Sequence, residues 1–421
     1  MEIINGRVLC EGLAFRRIVI FQPHATLRIP QDSPMPVIVV ADDLTPYDTV
    51  GFDKKRIAAI VVGKASTNAH VAILARVMDI PVITGIRMNP DWESKPAIVN
   101  ALEGTLVIEP DDEERKQFET RKKQLLEQQE SLKSYRNKKT LTPKGKAIPV
   151  YANIANSDDI DSVLANGAEG IGNFKTEFMY LSSGGFPTEA FQFEIYKNLA
   201  LRMGDRKTII RTLDIGVDKI PPYFNLGKED NPALGYRAIR ICLDHPEIFI
   251  PQLRAILRAS VYGNLAIMYP MIVSEEEVAQ IKSWVEQVKA DLEREGIPFN
   301  NNMEQGIMIE TPAAVIMSRE LAKMVDFFSI GTNDLTQYTL AVDRHNPQLE
   351  PISNPYHPAV LRSIEYVIRN AHEQHIWVEI SGEIASDLSM TKYFVENGID
   401  ALAVSPHKIL SLRKAICCMD G

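Results

Sequence analysis

Residues 144–421 alternate eight times between a short β-type run and a helical pattern, and this alternation restricts the possible fold most strongly. Each predicted strand is a short run of apolar and β-branched residues, at 147–152, 170–174, 208–212, 265–269, 306–309, 327–330, 377–380 and 401–404. Eight β/α units in about 250 residues are typical of a TIM (β/α)8 barrel with right-handed crossovers. A doubly wound open sheet is the competing arrangement.

The residues before the barrel predict two further parts. Residues 1–111 contain β-type runs at 17–21, 36–41, 57–62, 80–84 and 105–108, with one helical pattern at 66–77, so we expect a compact α/β domain. Residues 112–140 are mostly helix formers and contain no glycine or proline, which predicts a polar helix. The expected domains are therefore 1–111, a helical linker at 112–143, and the barrel at 144–421.

Composition argues against several classes of protein. The chain has 46 Lys+Arg against 55 Asp+Glu, a net charge of −9, and therefore no basic surface suited to nucleic acid or an anionic membrane. No stretch approaches the roughly 18–20 apolar residues of a membrane span, and the first residues lack a signal-peptide pattern. The four cysteines have neither disulfide-framework nor zinc-site spacing. We expect a cytoplasmic protein that binds neither nucleic acid nor membrane.

Charged residues cluster at the C-terminal ends of the predicted barrel strands, where TIM-barrel enzymes carry their chemistry. Lys175, Arg211 and Arg237 predict a cationic pocket, since such groups bind phosphate and carboxylate oxygens. Glu310 and Asp334 supply two hard oxygen ligands suited to Mg²⁺. Together these residues suit a small phosphorylated substrate. The alternative is that each charge pairs with a neighbour and only stabilises the fold.

His70 lies where a turn rich in Ser, Thr and Asn enters the short helical pattern at 66–77. A neutral imidazole is a competent nucleophile toward phosphorus. A lone histidine is more often a packed or capping residue, so the residues alone leave both roles open.

Several sequence motifs of the barrel and of the first domain follow one another in a characteristic order. In the barrel they are 170–178 (GIGNFKTEF), 210–219 (IRTLDIGVDK), 231–240, 268–278, 309–314 (IETPAA) and 326–344 (DFFSIGTNDLTQYTLAVDR). In the first domain they are 36–46 (PVIVVADDLTP) and 70–76 (HVAILAR). The barrel motifs resemble, in the same order, those of the phosphoenolpyruvate-utilising enzymes, with 326–344 similar to the family signature, and most closely those of Enzyme I of the sugar phosphotransferase system. The motifs of the first domain resemble the family's swivelling phosphohistidine domain.

The resemblance implies a phosphoenolpyruvate-dependent phosphotransferase in which His70 accepts the phosphoryl group. It implies that the phosphate and carboxylate of phosphoenolpyruvate are held by Lys175, Arg211, Arg237, Asn333 and Arg344, and Mg²⁺ by Glu310 and Asp334. It also implies that the first domain swings His70 between the barrel mouth and a second acceptor, and that the barrel forms a homodimer.

Ser381 is the departure that bears most on catalysis, because it stands where the resemblance places a general-acid cysteine. A hydroxyl is a far poorer proton donor than a thiol, so conversion of enolpyruvate to pyruvate is expected to be slow. Lys175 stands where the family has an arginine. It keeps the positive charge but cannot form the bidentate contact of a guanidinium with phosphate or carboxylate. Residues 65–66 replace the glycines that precede the histidine in the family.

The phosphoryl acceptor is the second departure. Only residues 24–35 join the strands between which Enzyme I carries its helical HPr-docking domain, and the ATP-grasp domain of related enzymes has no counterpart here. We therefore expect an acceptor other than conventionally docked HPr, either a protein or a small molecule.

Two alternatives stay open. One is a catalytically impaired phosphoenolpyruvate sensor or paralogue that acts through protein contacts. The other is altered enolpyruvyl or phosphoryl chemistry in a specialised pathway. Retention of His70 with both carboxylates argues against a pure sensor, since a binder does not need the nucleophile.

Overall fold

The computed structural model describes residues 1–21, 36–44, 56–63, 80–215, 221–225, 227, 229–344, 346 and 348–420. These residues form two compact units, Met1–Ser131 with Arg344–Gln348, and Leu132–Asp343 with Leu349–Gly421. The predicted helix at 66–77, including His70, and the connection at 24–35 lie outside the described residues.

The first unit is built on an eight-stranded mixed sheet. Its strands are β1 (Glu2–Asn5), β2 (Arg7–Cys10), β3 (Leu13–Ile20), β4 (Val37–Ala41), β5 (Ile57–Val62), β6 (Val82–Thr84), β7 (Pro96–Asn100) and β8 (Thr105–Ile108). They lie in the order β1-β8-β7-β3-β4-β5-β6-β2, and β3 to β6 are parallel. Strand β4 is apolar throughout because alternate side chains enter two clusters, Val37 and Val39 in one, Ile38 and Val40 in the other.

Helix α1 (Asp112–Lys133) follows this sheet. Its first turn contains three acidic residues, whose negative charges interact favourably with the positive end of the helix dipole. The helix is mostly exposed, as its polar sequence predicts, but Phe118 is buried against Ile98 and Val107, and its ring centre lies 5.8 Å from that of Phe15. This contact attaches the first half of the helix to the sheet of the first unit.

The second unit contains a closed barrel of eight parallel strands, which confirms the predicted TIM barrel, and the open-sheet alternative is wrong. Its strands are β9 (Val150–Ile154), β10 (Gly170–Lys175), β11 (Lys207–Arg211), β12 (Leu265–Tyr269), β13 (Gln305–Ile309), β14 (Phe327–Gly331), β15 (Trp377–Ser381) and β16 (Ala401–Val404). On β15, Val378 and Ile380 join the outer apolar core, so Glu379 and Ser381 face the barrel interior.

Helices surround this barrel. In the described part of the second unit they are α2 (Ile160–Ala165), α3 (Glu177–Ser182), α4 (Glu189–Met203), α5 (Ile239–Asp244), α6 (Pro246–Ala259), α7 (Glu275–Arg294), α8 (Pro312–Ile316), α9 (Ser318–Leu321), α10 (Thr332–Leu340), α11 (Pro358–Glu373), α12 (Thr391–Glu396) and α13 (Ile409–Cys417). In the described part of the chain, no helix is long and apolar enough to cross a membrane.

The first barrel strand begins later than the sequence predicts, at Val150 and not at residue 147. Ala147 pairs with Leu141 in an isolated bridge, and the amide of Ile148 donates to the carbonyl of Thr140 at 3.0 Å. Proline at 149 has no N–H to donate to a ladder. The strand therefore starts after the proline and carries Asn153 within it.

The buried side chain of Arg413 anchors the last helix, α13. Its guanidinium donates to the carbonyls of Tyr135, Arg136 and Gly167 at 3.1, 3.0 and 2.6 Å, and lies 3.3 Å from a carboxylate oxygen of Glu169. A charge with no exposed surface is tolerated because several acceptors surround it.

Candidate active site

The C-terminal end of the barrel carries most of the residues predicted to bind substrate or metal. Arg211 ends β11, Ser381 ends β15, and Glu310 directly follows β13. Asp334 lies in the first turn of α10, which follows β14 without a long loop. Arg237 lies just before α5. These side chains therefore share the end of the barrel where such enzymes bind substrates.

Two buried arginines are joined by one carboxylate. Arg211 Nη1 lies 2.9 Å from Asp214 Oδ2, and Arg237 Nη2 lies 2.8 Å from Asp214 Oδ1. Arg237 Nη1 also reaches Asp334 Oδ1 at 3.3 Å and the hydroxyl of Tyr338 at 3.1 Å. The two guanidinium groups are thus held in place by contacts that do not require a ligand.

Carboxylates keep both arginines charged. Burial by itself would lower the pKa of Arg211, but the carboxylates of Glu177 and Asp214 raise it above its ordinary value. Glu177 Oε1 accepts from Arg211 Nη2 at 2.6 Å. The pKa of Arg237 is likewise raised against the effect of burial, by Asp214 and Asp334. A permanently cationic pair at this position suits an anionic ligand.

Glu310 is the most deeply buried carboxylate of the site, at 1% exposure. Its Oε1 accepts from the backbone amide of Met271 at 2.7 Å. A Cβ at position 331 would lie 2.7 Å from its Oε2, so Gly331 makes room for the carboxylate. Burial, followed by the negative charges of Asp334 and Asp214, raises the pKa of Glu310 well above its usual range.

Glu310 and Asp334 fit a hard divalent cation. A bound cation would relieve the repulsion between the two carboxylates, and carboxylate oxygens are the ligands that Mg²⁺ prefers. Within the described ranges, no group of three or more His, Cys, Asp or Glu side chains is arranged to hold a metal ion. Two protein carboxylates would therefore leave the other positions of Mg²⁺ to water and substrate.

Ser381 is held by Asn153. The amide nitrogen of Asn153 donates to Ser381 Oγ at 3.1 Å and to the carbonyl of Ala403 at 2.8 Å. Because a carbonyl can only accept, the second bond fixes which end of the Asn153 amide faces Ser381. Ser381 Oγ is therefore an acceptor from Asn153 and keeps its own hydrogen for another partner.

The remaining predicted residues are not all assembled at this site. Lys175 ends β10 with an exposed side chain, beside Arg211 in the strand register. Asn333 is exposed, and its Oδ1 accepts from the backbone amide of Glu383 at 3.4 Å. Arg344 belongs to the first compact unit. His70 lies outside the described residues.

Sequence reasoning gave no role to Asp214 or Glu177, although both lie inside motifs quoted for the resemblance, 210–219 and 170–178. Each bonds a predicted arginine directly. An acidic residue three positions after Arg211 was the available signal for Asp214. No spacing rule points to Glu177, because its contact with Arg211 crosses from α3 to β11.

The matching family models agree with this fold. Residues 129–420 match the PEP-utilising enzyme, PEP-binding domain, and residues 33–112 match the PEP-utilising enzyme, mobile domain. The TIM barrel therefore corresponds to the PEP-binding domain of that family. The chain belongs to the phosphoenolpyruvate-utilising enzyme family.

Curated relatives within that family are named phosphoenolpyruvate-protein phosphotransferase. The protein of Priestia megaterium is 41% identical over 382 residues, which cover 90% of this chain and 67% of that protein. The protein of Listeria innocua is 40% identical over 386 residues, covering 91% and 68%. That of Buchnera aphidicola is 42% identical over 386 residues, covering 90% and 67%. The chain spans about two thirds of the length of these relatives.

Proposed function

We propose that this chain is a phosphoenolpyruvate-dependent phosphotransferase. In the first step the P–O bond to the enol oxygen breaks and a P–N bond to the imidazole of His70 forms, leaving enolpyruvate in the barrel. In the second step the phosphoryl group passes from His70 to an acceptor. Family membership and the names of relatives about 40% identical support this assignment.

The observation that carries the proposal is the pair Arg211 and Arg237, buried and oriented by the shared carboxylate of Asp214. The transition state of phosphoryl transfer spreads negative charge over the phosphate oxygens, so positioned cations supply much of the catalysis. A guanidinium held by fixed carboxylates needs no reorganisation when charge develops on the phosphate oxygens. Lys175, Asn333 and Arg344 would complete the contacts to phosphate and carboxylate.

Glu310 and Asp334 would hold Mg²⁺. When bound, the ion would neutralise negative charge on the phosphate and carboxylate of the substrate. Burial and the neighbouring carboxylates raise the pKa of Glu310, and a bound cation would counter that effect because only the carboxylate form is a ligand. Asp334 is kept in place by Arg237, which lies 3.3 Å away.

Ser381 would slow the conversion of enolpyruvate to pyruvate, since it occupies the position of the general acid. The acceptor of the phosphoryl group would be a protein or small molecule other than conventionally docked HPr. Homodimer formation through the barrel and a cytoplasmic location both stay predictions from the sequence.

Titration calorimetry with phosphoenolpyruvate tests the substrate assignment. We expect binding that is strengthened by Mg²⁺ and weakened at least about tenfold in Arg237→Lys, which keeps the charge but loses the fork. Arg362→Lys, an exposed change on α11, is the matched control and should bind like the wild type. Absence of phosphoenolpyruvate binding in the wild type would contradict the proposal.

A phosphoenolpyruvate sensor is the second candidate, and Ser381 is the observation that favours it. A sensor would bind phosphoenolpyruvate with the same dependence on Arg237 but would form no phosphohistidine. Binding without phosphorylation of His70 would therefore select the sensor over the phosphotransferase.

A further inference from the structure

Glu379 is a buried acid that the proposed chemistry does not use. It lies on β15 two residues before Ser381, has no exposed surface, and shares the interior face with that serine. Two residues of a strand span about 7 Å, so the glutamate lies one layer below the serine.

The carboxyl of Glu379 is only half satisfied. Ser329 Oγ donates to its Oε1 at 2.7 Å, whereas its buried Oε2 has no hydrogen-bond partner among the residues that the structure describes. A Cβ at position 172 would lie 2.8 Å from Oε2 and 3.1 Å from the Cβ of Tyr151. Gly172, on β10, therefore leaves the space that the Glu379 carboxyl occupies.

Two amide oxygens on the neighbouring strands β9 and β10 also lack donors among the described residues. Asn153 and Asn173 are paired in the register of β9 and β10, and Oδ1 of each is buried without a partner in the described part of the chain. The register of β10 shifts between Ile171 and Asn173, so Gly172 is an extra residue there, and Asn173 shares the interior face with its partner Asn153. Three acceptor oxygens thus share the interior with no donor assigned to any of them.

A proton on Glu379 resolves this shortage. Burial raises the pKa of Glu379 to about 8, while the Ser329 hydroxyl and the charge of Lys207 act in the opposite direction. Tyr151, which faces the same space, is uncharged near neutrality because burial and the neighbouring Glu379 raise its pKa. The carboxylic acid form then carries one donor, and the two amide oxygens on the interior face of the barrel are acceptors.

We infer that Glu379 is a positioning residue for Ser381. Its carboxyl proton lies on Oε2 and is donated to an amide oxygen of the Asn153–Asn173 pair, which fixes the amide of Asn153. Asn153 in turn donates to Ser381 Oγ and directs the serine hydrogen toward an oxygen of the ligand at the barrel mouth. Ser381 then binds the ligand as a hydrogen-bond donor. Loss of the proton from Glu379 leaves acceptors facing one another and weakens that contact.

The ligand contact in this inference rests on the proposed function, and the pH dependence of phosphoenolpyruvate affinity tests it. Relative to Glu379→Gln, the affinity of the wild type should fall about tenfold between about pH 7 and about pH 9, since about one tenth of the acid stays protonated one unit above its pKa. Glu379→Gln supplies an N–H donor at the same place, and titration of Glu310 affects both proteins alike. The same decline in Glu379→Gln as in the wild type would overturn the inference.

Ser381→Ala provides the control for coupling. In that background Glu379→Gln should have no further effect on affinity at any pH between about 7 and about 9. An affinity difference between Ser381→Ala and the double variant that still grows with pH would show that Glu379 does not act through the serine, and would overturn the inference.

A spectroscopic measurement separates this inference from the proposed function. The infrared band of a protonated carboxylic acid at neutral pH should be present in the difference spectrum between the wild type and Glu379→Gln, where the contribution of Glu310 cancels because both proteins keep it. Absence of that difference band would overturn the inference even if phosphoenolpyruvate binds. Its presence without any phosphoenolpyruvate binding would instead contradict the proposed function and leave the protonated Glu379 established.

Discussion

The carboxylate of Asp214 lies 2.8 Å from the guanidinium of Arg237, and its second oxygen binds Arg211. Its side chain is only 5% exposed. Asp214→Asn would leave two buried guanidinium groups without the charge between them, so we expect the free energy of unfolding to fall by roughly 3 kcal/mol. Chemical denaturation measures this loss. Asp205→Asn, an exposed change, is the control, and equal stability of the two variants would contradict the structural role of Asp214.

Ser381→Cys restores a thiol at the end of β15. If this position protonates enolpyruvate, the variant should release pyruvate roughly 10- to 100-fold faster, because a thiol is a far better acid than a hydroxyl. A coupled assay of pyruvate after phosphorylation of the protein measures the rate. An unchanged rate would show that protonation at this position does not limit the reaction.

Relative to the wild type, the free energy of unfolding of Glu379→Gln should increase as the pH rises. The folded-state pKa of Glu379 is about 8, above its ordinary value of 4.5, so the native state holds a proton that the unfolded chain releases. Stability of the wild type is therefore lost between about pH 4.5 and about pH 8, by a few kcal/mol. The difference in Tm between variant and wild type should grow over this window. Exposed Glu293→Gln is the control, and a constant difference for Glu379→Gln would contradict the buried neutral acid.

Arg413→Lys keeps a positive charge but cannot reach all of the acceptors that Arg413 binds. Carbonyls of Tyr135, Arg136 and Gly167 would lose donors inside the protein, which predicts a loss of about 3 kcal/mol in unfolding free energy. Thermal or urea denaturation provides the measurement. A loss no larger than that of exposed Arg362→Lys would contradict the anchoring role of Arg413.

The sequence predicted the barrel because its eight strands are short, apolar and regularly spaced, and seven of them lie within one residue of the predicted starts. The exception is β9, where Pro149 and the pairing of Ala147 with Leu141 delay the start of the strand. In the first unit, β1, β2 and β7 escaped prediction. Strand β1 is mostly exposed, so its side chains carry little of the apolar pattern on which strand prediction depends.

The candidate site was predictable where a charge stands at a strand end, as for Arg211 and Glu310. It was not predictable where a contact depends on three-dimensional packing. The bond between Asn153 and Ser381 crosses from β9 past β16 to β15, and only barrel closure brings these strands together. The sequence pattern did not single out Glu379. Its burial depends on its position on the inward face of β15 and on the space left by Gly172, which only the folded barrel brings together.

Intact-protein mass after incubation with phosphoenolpyruvate and Mg²⁺ tests the central claim most directly, with His70→Ala as the control. The account predicts an acid-labile gain of one phosphoryl group in the wild type and none in the variant. No gain in the wild type under conditions where phosphoenolpyruvate binds, or an equal gain in His70→Ala, would contradict it.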